Sequence, residues 1–559
     1  MVAVAMIPAL LGKVRRQSKT ADRIVPAIPG VPTLSGAIRY LFYRKTPSSR
    51  WMRSRSWGSL LIIASFSIAT IAWCFSVHPY YRPNREWGSP PLAVRSGMIA
   101  QGMLPFLFAL SMKVNPISIL THISHEKLQV YHQWMARLFV FFGVVHTIPF
   151  LWQPDHDDAP ETLRDYWFGH DYLTYWTGTV CLAILFWMLF SSTGWARNRS
   201  YEFFVIQHII STLVFVVLYF YHCGDALDSW LWLWACIGIW ALSTLLKWSR
   251  SLATSNFFVG FRATVEAELV HDSNSEVEPE RIVRLALRTP IKWKAGQHVF
   301  IRFPTVAPLQ SHPFTIASLP ASQPAVESMM VLVARCHSGV TRRLFETVQS
   351  KGERPTVSPA HADEKGSIAS SFRTGAISLP VVIDGPYGEQ DSVWRYQSAL
   401  LIAGGIGITR VLASIMDVCA VPAGKDIKLR HLKLVWTVRR DGLLNWFEDQ
   451  LDTAFEILQQ RGIEVEFVLH FSQQDPTTTT TCASLAKVPG RPEVAALVKE
   501  TVSHAESQGC RSLHITACGP ASLNRDCSNS VARAEKRLIL GAAHSSLLEI
   551  VLADECFGY

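Results

Sequence analysis

HQWMARLFVFFGVVH, residues His132 to His146, places a histidine at each end of a largely apolar run. A second stretch, HIISTLVFVVLYFYH, repeats the same separation from His208 to His222. On an α-helix, fourteen residues rise about 21 Å and turn nearly four times, so both imidazoles of a stretch lie on nearly the same face. Metal–nitrogen bonds are only about 2 Å long, so the two histidines of one helix cannot bind the same metal. The spacing therefore predicts that each helix carries two separate ligands, one near each end.

Long apolar runs dominate the first half of the chain. Each is about 16 to 20 residues long, near the length that crosses the hydrocarbon core of a bilayer. A soluble fold with so many such helices would leave almost no polar surface. We therefore predict six transmembrane helices, at residues 59–77, 97–112, around Phe139, 173–191, 203–221 and 229–246.

The charges of the short loops predict the orientation. The segment before the first run is rich in lysine and arginine, whereas the loop after the third run, PDHDDAPETLRDYWFGHD, is acidic apart from Arg164. The positive-inside rule places the amino terminus in the cytoplasm, and six spans return the chain there after about Arg250. The net charge of +9 comes largely from the basic segment and indicates anionic lipid contact, not nucleic-acid binding.

Two further observations favour a protein that is not secreted and whose cysteines lie in a reducing compartment. The apolar opening MVAVAMIPALL precedes its positive charges, which is the wrong order for a cleaved signal peptide. The eleven cysteines contain no CxxC pair, so we interpret them as ordinary thiols, not as a disulfide framework or zinc site.

The third and fifth spans run in the same direction, so their histidines should meet at two depths. This predicts an inner pair, His132 with His208, and an outer pair, His146 with His222. Two axial imidazoles suit a six-coordinate haem that passes single electrons, although helix-to-helix hydrogen bonds are the alternative. Arg137 and Arg95 are candidates for haem propionates, with a purely structural snorkelling role as the alternative.

Beyond Phe261 the pattern changes to short β-like runs. RATVEAELV, IVRLALRT, QHVFIRFP and MMVLVARC predict a small antiparallel barrel. A low-complexity stretch at about 350–378 is expected to be an exposed loop. The strand-like runs ALLIAGG, LKLVWTV, VEFVLHF and SLHITACG then alternate with helical patterns, which is typical of a parallel α/β nucleotide-binding sheet.

Glycine-rich motifs end two of these strands. LIAGGIGIT places Gly404, Gly405 and Gly407 at the start of a helix, where the backbone can approach a pyrophosphate. DGPYG precedes this motif and ACGP ends a later strand. Arg439 and Arg440 follow LKLVWTV, where arginine favours a 2′-phosphate and hence NADPH; a solvated strand end is the alternative.

With HPFT, GGIGIT and CGP in this order after the histidine pairs, the chain resembles the fungal ferric-chelate reductases of the ferric reductase and NADPH oxidase superfamily, from about residue 59 onward. The resemblance implies a membrane helical bundle with two b-type haems, followed by a cytoplasmic ferredoxin-reductase-like unit that binds FAD and NADPH. We divide the chain accordingly into a basic segment, a transmembrane haem domain, an antiparallel β-barrel FAD domain and an α/β NADPH domain, at residues 1–58, 59–248, 260–390 and 398–559.

The resemblance also implies roles for individual residues. Thr315 would lie near the reactive flavin ring and Cys518 near the nicotinamide, while Phe557 or Tyr559 would cover the flavin. No other catalytic side chain is implied. The FAD motifs correspond to His312, Pro313, Phe314 and Thr315 and to Gly339, Val340 and Thr341; the NADPH motifs correspond to Gly404 to Thr409 and to Cys518, Gly519 and Pro520. The leading span and cleaved signal of several yeast relatives are not found, and the insertion after Ser350 matches no motif.

The implied function is electron transfer from cytoplasmic NADPH through FAD and the two haems to an acceptor outside, in the plasma membrane. Ferric chelates or siderophores and Cu(II) are the expected acceptors. The acidic outer loop could attract such cations, although the charge rule alone also predicts it; its candidate residues are Asp155, His156, Asp157, Asp158 and His170. A superoxide-producing oxidase, with O2 as acceptor, and a non-catalytic haem subunit are the alternatives, and the nucleotide motifs argue against the latter.

Overall fold

A computed structural model shows two compact units. The helical unit lies within Ser48–Ser249, and the sheet unit lies within Arg250–Tyr559 together with residues before Ser48. The structure describes residues 31–48, 54–83, 87–114, 117–118, 123, 125–156, 160–169, 172–255, 261–270, 280–321, 327–336, 339–351, 372–388, 391–439, 441–472, 485–541 and 546–555.

Helices form the whole framework of the helical unit. Six of the described helices are long and apolar enough to cross a membrane, as the sequence predicts. Ser56 and Ser200 begin two of them, because each hydroxyl accepts a hydrogen bond from a free backbone N–H three residues later. The helices are α2 (Trp57–Phe75), α3 (Pro91–Ser111), α4 (His125–His156), α5 (Pro160–Phe168), α6 (Tyr172–Ser191), α7 (Gly194–Arg199), α8 (Tyr201–Cys223) and α9 (Ser229–Ser255).

The helical unit keeps a small interior and a large apolar exterior. α3 packs mainly on α4, and α8 packs mainly on α6. Buried Leu104, Phe142 and Phe215 contribute to the interior. Outside it, Ile68 is 67% exposed and Leu231 is 68% exposed. Exposed apolar side chains on every long helix are what a lipid-facing surface requires.

The first half of the sheet unit is an antiparallel barrel. Its strand order is β4-β3-β6-β1-β2-β5, and a bridge between Ile316 and Leu332 brings the segment after β4 to β5. Alternate residues of each strand point into a core built from side chains such as Val265, Leu285 and Ile301. The strands are β1 (Phe261–Val270), β2 (Glu280–Thr289), β3 (His298–Phe303), β4 (Ala307–Thr315), β5 (Ser328–Arg335) and β6 (Phe372–Tyr387), and helix α10 (Val340–Lys351) lies between β5 and β6.

The predicted loop at about 350–378 is wrong at both ends. Ser350 lies in α10, and β6 already begins at Phe372. Residues 372–378 form strand because they pair with β1, with Ser378 opposite Thr264. Their polar, glycine-containing sequence hides this pairing, since a partner strand more than a hundred residues away supplies the hydrogen bonds. Residues 352–371 lie outside the described ranges.

The second half of the sheet unit is a parallel sheet in the order β10-β9-β8-β7-β11-β12. With the barrel, it confirms the predicted ferredoxin-reductase-like unit. Its strands are β7 (Ser398–Gly404), β8 (His431–Val438), β9 (Glu464–Phe471), β10 (Leu485–Pro489), β11 (Ser512–Cys518) and β12 (Glu549–Glu555). Its helices are α11 (Ile408–Cys419), α12 (Glu448–Gln460), α13 (Val494–Ser507) and α14 (Ala521–Gly541).

Helix α1 (Val31–Tyr43) is a part of the sheet unit that the sequence did not reveal. It packs on α14, where Arg39 Nε lies 2.6 Å from Glu535 Oε1, with 13% and 1% of the side chains exposed. Gly36 permits this approach, since an added Cβ would lie 3.1 Å from Ile539. Burial raises the pKa of Glu535, and the Arg39 guanidinium opposes that shift. The basic segment predicted at 1–58 therefore includes, at α1, residues that belong to the sheet unit.

We expect Arg39→Leu to destabilise the sheet unit by about 3 to 5 kcal/mol, because it leaves a buried carboxylate without its cation. Arg39→Leu combined with Glu535→Leu should recover most of that loss. Urea unfolding of the full chain, followed by flavin fluorescence, measures both. The matched control is Arg537→Ala, which removes an exposed ion pair to Glu506 from the same helix and should cost less than about 1 kcal/mol. Equal effects of Arg39→Leu and Arg537→Ala would contradict the assignment.

Candidate functional site

The structure brings the outer pair of histidines together. His146 of α4 and His222 of α8 have ring centroids 6.0 Å apart, with the ring planes at 85°. Two metal–nitrogen bonds of about 2 Å, in line between facing imidazoles, fill a gap of this size. The inner pair, His132 and His208, lies fourteen residues earlier in the same two helices. The two helices thus present imidazoles to each other at two levels.

Backbone carbonyls orient three of the four imidazoles. His146 Nδ1 lies 2.8 Å from Ala93 O, His222 Nδ1 lies 2.9 Å from Thr174 O, and His132 Nδ1 lies 3.1 Å from Leu107 O. A carbonyl accepts only from N–H, so Nδ1 carries the proton and Nε2 keeps a lone pair for a metal. Nδ1 of His208 is buried and has no hydrogen-bond partner. The outer pair therefore has the better defined ligand geometry.

Glycines make room for the outer imidazoles. An added Cβ at Gly97 would lie 2.8 Å from Nδ1 of His146, and one at Gly178 would lie 2.5 Å from the His222 ring. In both helices the glycine is four residues after the accepting carbonyl, directly above it on the helix surface. Sequence reasoning missed both glycines, because nothing in the sequence tells which helix packs against which histidine.

An aromatic pair separates the two levels. Phe139 and Phe215 each lie seven residues after the first histidine of their helix, and their ring centroids are 6.1 Å apart in an edge-to-face arrangement. Both side chains are buried, at 3% exposure. The space between the pairs is therefore apolar and dry. Facing neutral imidazoles, carbonyl-fixed tautomers, glycine clearance and apolar walls all fit a haem at the outer pair.

The two arginines considered for haem propionates have other partners. Arg95 donates from Nη1 to Cys74 O at 2.6 Å and to Val77 O at 2.8 Å, so it closes the end of α2. The guanidinium of Arg137 lies 4.6 Å from the ring centroid of Trp134. These contacts favour the structural alternative for Arg95.

The acidic outer segment is described only in part. His156, at the end of α4, stacks on Trp152 with ring centroids 4.3 Å apart. Asp157, Asp158, His170 and the side chain of Asp155 lie outside the described part of the structure. A cation-attracting role for this segment stays a prediction.

The predicted FAD residues lie on two neighbouring parts of the barrel. His312, Pro313, Phe314 and Thr315 end β4 and pair with β3, with Thr315 opposite His298. Phe314 anchors this segment because it is buried in the barrel core. Alternate side chains of β4 therefore point away from the core, on the surface that a flavin would cover.

The other predicted FAD segment begins α10. Gly339 has φ +66°, and Val340 and Thr341 follow in the first turn of the helix. Free N–H groups and the helix dipole favour an anion at this position, as a pyrophosphate would require. No acidic residue lies in the first turn, whereas Arg342 and Arg343 do. This arrangement is compatible with the predicted role.

The two predicted NADPH loops meet at the carboxyl edge of the parallel sheet. Cys518, which ends β11, pairs beside β7. An added Cβ at Gly407 would lie 2.2 Å from the Cys518 carbonyl oxygen, and one at Gly404 would lie 2.8 Å from Pro520. An added Cβ at Gly519 would meet the Gly404 backbone at 3.1 Å. These glycines are therefore required by contact between the loops, in addition to any approach of a ligand.

The loop itself turns before α11. Gly405 has φ +55°, in the left-handed region that favours glycine. Thr409 Oγ1 donates to Ile406 O at 3.0 Å, which closes the turn. Trp436 of β8, which sequence reasoning missed, donates from Nε1 to Gly405 O at 2.9 Å. Its position among the apolar residues of a buried strand gave no signal of this contact.

The remaining predicted residues are only partly placed. Arg439 follows β8 at the same edge of the sheet and is exposed, as a 2′-phosphate contact requires. Arg440, Phe557 and Tyr559 lie outside the described residues. The choice of NADPH and the identity of the flavin-covering aromatic stay predictions.

Family comparisons match three consecutive segments of the chain. The ferric reductase like transmembrane component matches residues 96–219, an FAD-binding domain matches 269–391, and the ferric reductase NAD binding domain matches 396–532. The first segment contains His132, His146 and His208 and ends three residues before His222. The second contains both predicted FAD motifs, and the third contains both predicted NADPH motifs.

Curated relatives are fungal. A probable cell surface ferric reductase of Aspergillus oryzae is 29% identical over 447 residues, which cover 77% of this chain and 55% of that protein. Ferric/cupric reductase transmembrane component 7 of Saccharomyces cerevisiae is 30% identical over 437 residues, covering 77% and 64%. Ferric reductase transmembrane component 1 of Schizosaccharomyces pombe is 24% identical over 473 residues, covering 80% and 78%. The chain thus spans less than two thirds of the length of the first two.

We expect Gly97→Ala and Gly178→Ala to remove the haem of the outer pair and keep that of the inner pair, because each added methyl displaces an imidazole. Pyridine haemochrome spectra and electron paramagnetic resonance of the purified chain measure haem content and axial ligation. Gly102→Ala is the matched control in α3, since nothing lies within 4 Å of its added Cβ. Unchanged haem content and ligation in the first two variants would refute the proposal that Gly97 and Gly178 make room for the outer imidazoles.

We expect Gly407→Ala to weaken NADPH binding by at least about tenfold, or about 1.4 kcal/mol. The added methyl forces the two loops apart, because it meets backbone atoms that cannot rotate away. Stopped-flow measurement of flavin reduction against NADPH concentration reports this change. Gly541→Ala, with open space around the added Cβ, is the control. Unaltered NADPH dependence in Gly407→Ala would contradict the contact.

Proposed function

The chain belongs to the ferric reductase family, and we propose that it transfers electrons across the plasma membrane from cytoplasmic NADPH to ferric chelates, siderophores or Cu(II) outside. The observation that carries this proposal is the outer histidine pair, with ring centroids 6.0 Å apart and both Nδ1 atoms held by carbonyls. A helical unit that only anchored the sheet unit in the membrane would not require such a pair of oriented imidazoles.

The topology supports the direction of transfer. α1 and the parallel sheet belong to one compact unit, so they lie on the same side of the membrane. The chain between them contains six candidate spans, and an even number returns it to its starting side. The basic residues before the first span place that side in the cytoplasm. NADPH would then be available to the sheet unit, and the outer pair would lie toward the far face of the membrane.

The sheet unit supplies binding and orientation. The N–H groups at the start of α11 and α10 would hold the pyrophosphates of NADPH and FAD, respectively. Cys518, 1% exposed, would lie beside the nicotinamide at the end of β11. Thr315 would lie beside the flavin ring at the end of β4. When bound, the flavin exchanges a hydride for single electrons and the haems pass single electrons on, so no protein side chain must act as acid or base.

The helical unit keeps the route dry and the ligands fixed. His132 and His208 would hold the inner haem, and His146 and His222 the outer haem. Carbonyls of α3 and α6 orient the outer imidazoles and leave Nε2 available to hold a haem iron. Buried Phe139 and Phe215 exclude water from the space between the two levels. Low polarity there slows side reactions of the transferred electron with water.

Names of the relatives support the choice of acceptor. Two are called ferric reductases and one a ferric/cupric reductase, and one is described as a cell surface protein. A haem held by His146 and His222 would supply single-electron transfer, which does not require a metal-binding pocket for a bulky chelate.

We expect membranes that contain the chain to form Fe(II) from a ferric chelate with NADPH when oxygen is removed. His222→Ala should abolish this activity and leave NADPH-dependent flavin reduction intact, because only the outer end of the route is cut. Tyr221→Phe, a change at the exposed neighbouring side chain, is the control. Fe(II) formation in an absorbance assay and flavin bleaching measure the two halves separately.

Two outcomes would overturn the proposal. Fe(II) formation that persists in His222→Ala would exclude the outer pair from the route. Activity that requires oxygen and is abolished by superoxide dismutase would identify an oxidase that reduces iron second-hand.

A further inference from the structure

Two histidines and a glutamate converge at the edge of the parallel sheet opposite the nucleotide loops. His431 begins β8, Glu464 begins β9, and the two residues are direct neighbours in the strand pairing. His504 lies in the last turn of α13, with its ring centroid 4.4 Å from that of His431. One ligand atom from each residue lies within 4.8 Å of the other two.

The donor atoms are positioned for a cation. His431 is buried, at 7% exposure. Ser398 Oγ lies 3.4 Å from His431 Nδ1 and orients the ring. Nε2 of His504 is buried without a hydrogen-bond partner, 3.8 Å from Glu464 Oε2. A buried nitrogen in this state costs free energy that a ligand would recover.

The surrounding charge also favours a cation. Lys433, two residues after His431, is bound by Glu466 at 3.0 Å and Glu500 at 3.1 Å. Its positive charge is therefore more than neutralised. With Glu464 added, three carboxylates face a single ammonium, which leaves a net negative charge around the two imidazoles.

We propose that His431, Glu464 and His504 bind a divalent transition-metal ion of the zinc class. Two imidazoles and a carboxylate suit zinc, whereas magnesium and calcium require oxygen ligands. Tetrahedral bonds of about 2 Å place ligand atoms about 3.3 Å apart, so the cluster must contract slightly. The Glu464 side chain is 65% exposed and the His504 side chain 32% exposed, so both can move toward the buried His431.

This site is separate from the electron route. It lies at the amino end of β8 and β9, and the nucleotide loops lie at the carboxyl end, about 20 Å away at about 3.3 Å per residue. A bound ion would join the first residues of two strands to the end of α13. The expected consequence is a more stable sheet unit, independent of which acceptor the helical unit reduces.

The test uses the full chain in detergent, with its cofactors bound and stray metals removed by a chelator. Zn²⁺ is titrated against a chromophoric chelator in excess Mg²⁺. We expect one Zn²⁺ to bind per chain, and His504→Asn and Glu464→Gln each to weaken that affinity by at least about tenfold. Zn²⁺ should also raise the Tm of the wild-type chain and leave that of the two variants unchanged.

Glu493→Gln provides the matched control, because it removes an exposed carboxylate next to the opposite end of α13. Retained flavin absorbance shows that each variant is folded, since both altered side chains lie at the surface. Wild-type zinc affinity in His504→Asn and Glu464→Gln would overturn the proposal. So would equal losses in Glu493→Gln, or displacement of Zn²⁺ by Mg²⁺.

Discussion

Hydrogen bonds from imidazole Nδ1 to backbone carbonyls are the interactions on which the helical unit depends. A helix carbonyl already accepts one bond from its own helix, so it can receive a second only where the neighbouring surface is clear. Gly97 and Gly178 provide that clearance. The histidine helices α4 and α8 are consequently each tied to a partner, α3 and α6, and the partners fix the tautomer and direction of the ligands. The same hydrogen bonds therefore hold the helices together and orient the metal-binding side chains.

Local periodicity predicts most of this fold. The apolar runs gave six helices, and the β-like runs gave the barrel and the parallel sheet in the correct order. The fourteen-residue spacing predicted two histidine pairs, and the structure brings His146 and His222 together, because helix geometry converts spacing directly into position. The features that the sequence did not reveal depend on residues far apart in the chain. They are the pairing of residues 372–378 with β1, the space that Gly97 and Gly178 leave for the histidines, the hydrogen bond of Trp436 to Gly405, and the packing of α1 on the sheet unit. No local pattern encodes which surfaces meet.

The parallel sheet has two chemically different edges. At the carboxyl edge, glycine loops and helix N-termini expose N–H groups that attract anions. At the amino edge, the helices end, and their dipoles favour cations. His431, Glu464 and His504 lie at that second edge, with His504 in the last turn of α13. The predicted nucleotide site and the proposed cation site thus lie at opposite ends of the same strands.

Docking of α1 on α14 sets the order in which the molecule can be completed during synthesis. Arg39 and Glu535 are separated by 496 residues. At ribosomal rates of about 5 to 20 residues per second, α1 waits about 25 to 100 s for its partner. All six spans leave the ribosome within that interval. Among the described helices, α1 is therefore made first and is one of the last to find its place, and the sheet unit reaches its final form only after the described spans have been synthesised.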